Sequence, residues 1–380
     1  MKTKLTDELK KNICDRDIEL LERALDVLES NKYCIMNKFF DGKTMISPGI
    51  KNFHGIWNWD TAFHAVGVSR FDSKLATDQI EGFFDYMLED GMLPDLVDKD
   101  GKIRIHSSKP PVFAWAAYEV YKHTNDVEFL KRIYNRLVLN ERFWRTQRFD
   151  GKLFYYDSYK KGTEQENLTW AKWESGLDNS VRWDNGIVEY YPVDLNCYMF
   201  SFYESMSKIS RLIGASFEEW DCKAKEIEIL IEETFWNETV GAYTDRNRFT
   251  NELSNCITPA SFMPLFIKTA SHERAESMAK MAADEQIFNS NMPTVAYNNP
   301  EYSQNYWRGP LWLNIAYFAA KGLKNYGFSV ADDIKENILS LVYGIKDGIF
   351  ENYDTKNRKG LCCSNFSWSA VFIIEFILNW

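Results

Sequence analysis

No long run of basic residues occurs in this chain of 380 residues, and acidic side chains outnumber basic ones 55 to 45, for a net charge of −10. That balance argues against nucleic acid or an anionic membrane surface as partner and points to a small ligand, neutral or mildly anionic. Residues 1–12 lack the apolar core of a secretory signal, and no apolar stretch approaches the length of a membrane span. A cytoplasmic protein without a membrane anchor is expected. The seven cysteines follow no regular spacing, and the adjacent Cys362 and Cys363 lack the second pair that a structural zinc site needs, so they are read as buried thiols. Neither a metal nor a redox role is expected of them. The five histidines are scattered at 54, 64, 106, 123 and 272, which weighs against paired imidazoles as proton carriers. No linker of Pro, Gly and Ser divides the chain and no repeat period recurs, so residues 1–380 are read as one domain rather than an open solenoid.

Aromatic residues, by contrast, are plentiful: 13 Trp, 20 Tyr and 26 Phe make 16% of the chain. They suit either an aromatic-rich core or the binding of flat, partly apolar ligands such as sugar rings. Helical periodicity is equally abundant. Over residues 8–37 the apolar positions Ile18, Leu21, Leu25 and Leu28 fall on one helical face. Further helices are predicted at 59–70, 73–90, 111–123, 126–147, 194–213, 217–236, 259–268, 272–284, 308–326, 330–343 and 366–379, twelve in all. Short breaks with capping or breaking residues, such as Asp72-Ser73, Asn125-Asp126 and Gly214-Ala215-Ser216, imply antiparallel hairpins. Six such hairpins closed in a ring make an all-α (α/α)6 toroid. The longer connections, at about 38–58, 91–110, 148–193, 285–307 and 344–365, are rich in aromatic and polar residues. In a ring they emerge on one rim and converge on one pocket.

Five segments carry candidate chemistry. In the first, Trp57 and Trp59 flank Asn58 before a helix; Asp60 either caps that helix or accepts hydrogen bonds from sugar hydroxyls beside an indole platform. In the second, Trp173-Glu174-Ser175-Gly176-Leu177-Asp178-Asn179-Ser180, the small polar residues suit ordinary turns. A carboxylic acid near indole faces, however, is also where desolvation makes a proton donor for neutral pH, and either Asp178 or Glu174 fits. The third, residues 306–314, places Pro310 in the first turn of a helix and Arg308 at its mouth, between Trp307 and Trp312. Arg308 either pairs with a structural carboxylate or orients a catalytic carboxylate or a substrate hydroxyl. The fourth, residues 348–354, offers Glu351, although a lone Glu before a loop is usually solvated; the fifth, residues 366–369, contains Trp368.

In this order WNWD at 57–60, ESGLDNS at 174–180, YWRGPLW at 306–312, FENYD at 350–354 and FSWS at 366–369 resemble glycoside hydrolase family 63, with kinship to the family 37 trehalases. The resemblance covers about residues 50–380 and implies an (α/α)6 fold, in agreement with the helix count. It implies that Asp178 is the general acid and Glu351 the general base of an inverting glycosidase that needs no cofactor. These two lie 173 residues apart (351 − 178), so only folding can bring them together. It further implies that Trp57, Trp59, Asp60, Trp173, Gly176, Trp307, Arg308, Trp312 and Trp368 line the sugar-binding end of the pocket. The chain departs from the family at Lys109, where the pattern has Gln. This lysine either favours an anionic aglycone or points to solvent, and the second is the expectation. Larger members of the resembled family carry an additional N-terminal β domain, whereas this chain is read as starting almost at once with the barrel, more like the short bacterial enzymes that act on mannosylglycerate or glucosylglycerate. The expected substrate is therefore a small α-glucoside or α-mannoside of that kind, with trehalose or another glucose disaccharide as the main rival. A non-catalytic sugar-binding protein is disfavoured because both carboxylates are present. Glucose or mannose specificity and oligomeric state are not legible.

Overall fold

The computed structural model describes residue 5 and residues 10–33 and 43–380. Six helices form an inner ring: Asn58–Val68, Phe113–Thr124, Val193–Ile213, Met263–Phe266 with the 3-10 turn Pro259–Phe262 before it, Leu313–Asn325, and Ser367–Leu378. Each packs on the next, and Ser367–Leu378 returns to Asn58–Val68, which closes the ring. Helices packed on all sides should be apolar all round. Every residue of Asn58–Val68 is buried, as is Ser367–Phe376 of the last helix. Six outer helices, Asp15–Ser30, Ser73–Phe84, Val127–Gln147, Glu218–Thr234, His272–Ala283 and Val330–Gly344, surround them. These are amphipathic: Val127–Gln147 buries Phe129, Leu130, Ile133, Leu137 and Trp144 at helical spacing. The twelve expected helices are thus present as an (α/α)6 toroid. None of the helices among the described residues is long and apolar enough to cross a membrane.

Inner helices run into the next outer helix through short turns at 69–72, 125–126, 214–217, 267–271 and 326–329. Asp72 and Asp126 cap the helices that follow, accepting from the amides of Leu75 and Phe129. The return connections, 31–57, 85–112, 148–192, 235–258, 284–312 and 345–366, are long and all lead to the N-terminal ends of the inner helices. The aromatic and acidic segments therefore meet on one rim.

Several features differ from the sequence expectation. A thirteenth α-helix among the described residues, Glu164–Ser175, stands within the 148–193 connection. It buries only Ala171, Glu174 and Ser175, so it lacks the apolar stripe that periodicity detects; its cue was the capping box of Thr163 and Glu166. The helix expected at 308–326 begins at Leu313, because Leu311 forms a β-bridge with Tyr353 that holds the chain extended; Pro310 therefore precedes the helix. Short strands also edge the rim, notably Gly55–Trp57 with Leu96–Asp98 and Ile103–Arg104, and the hairpin of Phe350–Asp354 with Lys359–Ser364. The expected helix over 8–37 is described from Asp15 to Ser30, with residues 8–9 and 34–37 outside the described ones. Nor are all the thiols buried: Cys14, Cys222 and Cys362 are exposed, whereas Cys197 and Cys363 are buried.

Candidate active site

A pocket of about 220 Å³ opens at this rim, and Asp178, Glu351 and eight of the nine expected sugar-binding residues line it, all but Arg308. Its floor is aromatic. Trp307 and Trp312 stack with ring centroids 3.8 Å apart and 9° between planes, and Trp368 sets its edge against Trp312 at 5.4 Å and Trp59 at 5.3 Å. Trp57 meets Phe53 edge-on at 5.1 Å, which fixes that wall. Such indole faces match the apolar faces of a pyranose. Asp60, in the first turn of Asn58–Val68, is buried against the pocket. Burial pushes its carboxyl up to about 8; Lys109 opposes the rise, while Glu351 and Asp95 add to it.

Asp178 is delivered by the end of the Glu164–Ser175 helix. Gly176 terminates that helix with φ +72°, and a Cβ there would lie 2.4 Å from the Trp59 ring, so both backbone and packing require glycine. Glu174, the alternative acid by sequence, is fully buried and bonded to Arg148 at 2.6 and 2.8 Å, and also accepts from the amides of Ser108 and Asp157. It is a structural anchor for the loop. Removing one partner of a buried pair strands the other's charge. Arg148→Met should therefore cost about 3–5 kcal/mol, read by urea unfolding. An unchanged midpoint would show that the pair is not holding the loop. Asp178 itself is pushed up to about 6, chiefly by burial; Lys109 and Arg104 oppose the rise and Asp95 adds to it.

Glu351 lies on the strand Phe350–Asp354 where the pairing with Lys359–Ser364 is bulged between Phe350 and Asn352. A bulge re-aims a side chain, and here it turns a glutamate expected to be solvated into the pocket wall at 4% exposure. The Tyr306 hydroxyl donates to Oε1 at 3.0 Å and the Cys363 amide to Oε2 at 3.3 Å. Burial raises its pKa and Asp178 adds to the rise, while these two donors oppose it. Tyr306 holds a left-handed backbone, φ +57°, uncommon for a non-glycine residue and often found where function fixes a side chain. Its carbonyl accepts from Trp312 Nε1 at 2.9 Å. Asn179, next to Asp178, accepts from the Trp307 amide at 2.9 Å and donates to the Asn305 carbonyl at 3.2 Å. One bracket thus ties the loop of Asp178 to the segment that orients Glu351.

Arg308 is placed elsewhere than the resemblance implied. Its guanidinium grips Asp184 at 2.7 and 2.8 Å and Glu301 at 3.3 Å, and reaches the Asn179 carbonyl at 3.3 Å, outside the pocket wall. It braces the loop next to Asp178. Lys109 is corrected as well: instead of pointing to solvent it is buried, 3.2 Å from Asp95. Sequence reasoning missed Asp95, Arg104, Phe53 and Phe366 in the wall. Asp95 and Arg104 carry no local pattern, and strand pairing alone aligns them with Trp57. Tyr306 stood inside a motif already singled out, where the neighbouring indoles drew the attention.

Residues 53–369 match the family model described as mannosylglycerate hydrolase MGH1-like glycoside hydrolase domain. The chain belongs to this glycoside hydrolase family. Curated relatives of this hydrolase include a mannosylglycerate hydrolase of Rubrobacter radiotolerans, 21% identical over 87% of this chain and 92% of that one. Another, from Thermus thermophilus, is 24% identical over 84% and 94%. A periplasmic trehalase of Escherichia coli is 29% identical over 47% of this chain but only 34% of its own length. Among solved structures, a family 63 mannosylglycerate hydrolase from Thermus thermophilus in complex with glucose superposes with TM-score 0.81 at 22% identity, covering 93% and 99%. The neutral trehalase of Saccharomyces cerevisiae does so with TM-score 0.74 at 17% identity, covering 89% and 74%. These likenesses show the toroid, and the resemblance to family 63 with its trehalase kinship holds.

Proposed function

We propose that this hydrolase cleaves, with inversion, the α-glycosidic bond of a small glycoside with an anionic aglycone, of the mannosylglycerate or glucosylglycerate kind. The observation that carries the reading is the convergence of Asp178 and Glu351, buried together over an indole floor. The sugar's apolar face rests on the tryptophans and its hydroxyls reach Asp60. Asp178 gives its proton to the glycosidic oxygen as the bond to the anomeric carbon breaks. Glu351 takes a proton from the water that attacks the opposite face, so that sugar and free aglycone leave and no cofactor is needed. The Tyr306 hydroxyl and the Cys363 amide hold Glu351 in that attitude. For inversion the two carboxyls are expected about 6.5–9.5 Å apart, with room for the water.

The anionic aglycone is supported by Arg104. Its guanidinium stands over the Trp173 ring, 5.3 Å from the centroid, at a wall where Asp95 is 3.4 Å away. A guanidinium carries five donors in a planar fork, so it can take a second carboxylate beside Asp95. The related hydrolase of Thermus thermophilus has been solved with Tris and D-glycerate. Arg104→Gln should raise KM for a glycerate conjugate by about ten- to a hundredfold, the value of a charged hydrogen bond, and leave KM for a neutral methyl glycoside nearly unchanged. Equal effects on both would remove the case for an anionic aglycone. The function itself is tested by proton NMR of the first product from glucosylglycerate, mannosylglycerate and trehalose. A β-anomer is expected from one of the glycerate conjugates; release of the α-anomer would overturn inversion, and preference for trehalose would overturn the anionic aglycone.

A further inference from the structure

Lys109 departs from the family pattern, and its surroundings are unlike those of a solvated lysine. The side chain is 8% exposed, with Nζ 3.2 Å from Asp95 Oδ1, and it donates a hydrogen bond to the carbonyl of Trp173. The neighbouring Ser108 amide bonds Glu174 at 3.3 Å. Residues 108 and 109 therefore hold consecutive positions in the last turn of the helix that ends at Ser175, just before Asp178.

The charges around it are few and identifiable. Asp60 comes from the Asn58–Val68 helix, Asp95 and Arg104 from the strand edge, Asp178 from the loop after the helix, and Glu351 with Tyr306 from the opposite wall. Behind the loop, Arg148 and Glu174 neutralise each other. Arg104 is 42% exposed, so its charge is screened by solvent, and Lys109 is the buried cation among four carboxylates. Burial works against the ammonium, but Asp95, Asp178 and Asp60 more than offset it, and its pKa lies above the ordinary lysine range. It stays charged throughout the working range of the enzyme.

We propose that Lys109 is a positioning residue for the general acid: tied to Asp95 and the Trp173 carbonyl, it steadies the acid loop and stabilises the carboxylate left on Asp178 after proton transfer. The inference rests on the reading of Asp178 as acid. When the O–H bond of Asp178 breaks and the proton joins the departing oxygen, negative charge appears in a site shielded from water. A fixed cation set in place beforehand lowers the cost of that charge. Glutamine, the residue of the family pattern, could keep a hydrogen bond to the Trp173 carbonyl but would bring no charge.

The test compares pH profiles of kcat/KM for wild type, Lys109→Gln, Lys109→Arg and Asp95→Asn, with folding checked by thermal melts. In K109Q the alkaline limb, which reports loss of the Asp178 proton, should move upward by about one to three pH units as a nearby opposite charge is lost. In K109R it should stay near the wild-type position. D95N removes a carboxylate that opposes ionisation of Asp178, so its limb should move downward, and this decides the matter if K109Q does not fold. A limb in K109Q at the wild-type position, or one in D95N that fails to move down, overturns the proposal. If the wild type hydrolyses none of the panel, the functional reading falls. A carbon-13 titration of the aspartate carboxyls, with Asp178 assigned through Asp178→Asn, then still reads the coupling, and an Asp178 resonance insensitive to K109Q overturns it.

Discussion

Asp178→Asn should lose about 10²–10⁴-fold in kcat on a glycerate conjugate, the usual contribution of a positioned acid. The loss should be far smaller on the corresponding glycosyl fluoride, because fluoride departs without a proton. The amide keeps the size of the side chain, so the fold and the indole floor are preserved. The same substitution should erase the alkaline limb of the pH profile. The sign follows from the site: burial raises the Asp178 carboxyl to about 6, the acid must be protonated to act, and activity is lost as pH rises through that value. Initial rates on both substrates across pH check this. Equal losses on the two leaving groups would remove Asp178 from the role of acid.

Glu351→Gln should fall by a similar factor, about 10²–10⁴, but on both substrates alike, because the attacking water must be deprotonated whatever the leaving group. The acidic limb should disappear with it. The base works only when ionised, so activity is lost as pH falls through the pKa of Glu351, which burial holds above the ordinary glutamate range. That limb should therefore stand at higher pH than a solvated glutamate would give. A glutamine can still accept from Tyr306 but offers an NH₂ where Oε2 now accepts the Cys363 amide, so melts must accompany the kinetics. Retained activity on the fluoride would show that another group activates the water.

These two experiments separate roles that the sequence could name only through family resemblance. Taken alone, residues 173–180 offered Glu174 and Asp178 equally, since both are carboxylates near indoles. The choice depends on Arg148, 26 residues before Glu174, and its two bonds at 2.6 and 2.8 Å. Arg308 likewise found Glu301 within its own connection and Asp184 in another, and the second pairing is made by how two loops cross.

What the sequence determined by itself was the toroid and its working rim. Local rules suffice there: the 3.6-residue period marks the twelve helices of the rings, and side chains such as Asp72 and Asp126 mark where helices start. The length of alternate connections then says which rim has room for a pocket. Periodicity failed at Glu164–Ser175, whose helix is specified by its caps and not by an apolar stripe. Only the tertiary structure decided the electrostatics. The bulge that aims Glu351, the burial of Lys109 beside Asp95 and the rise of Asp178 all arise where segments remote in sequence exclude water from one another. The cost of a buried charge is set by everything around it, and no local pattern carries that information.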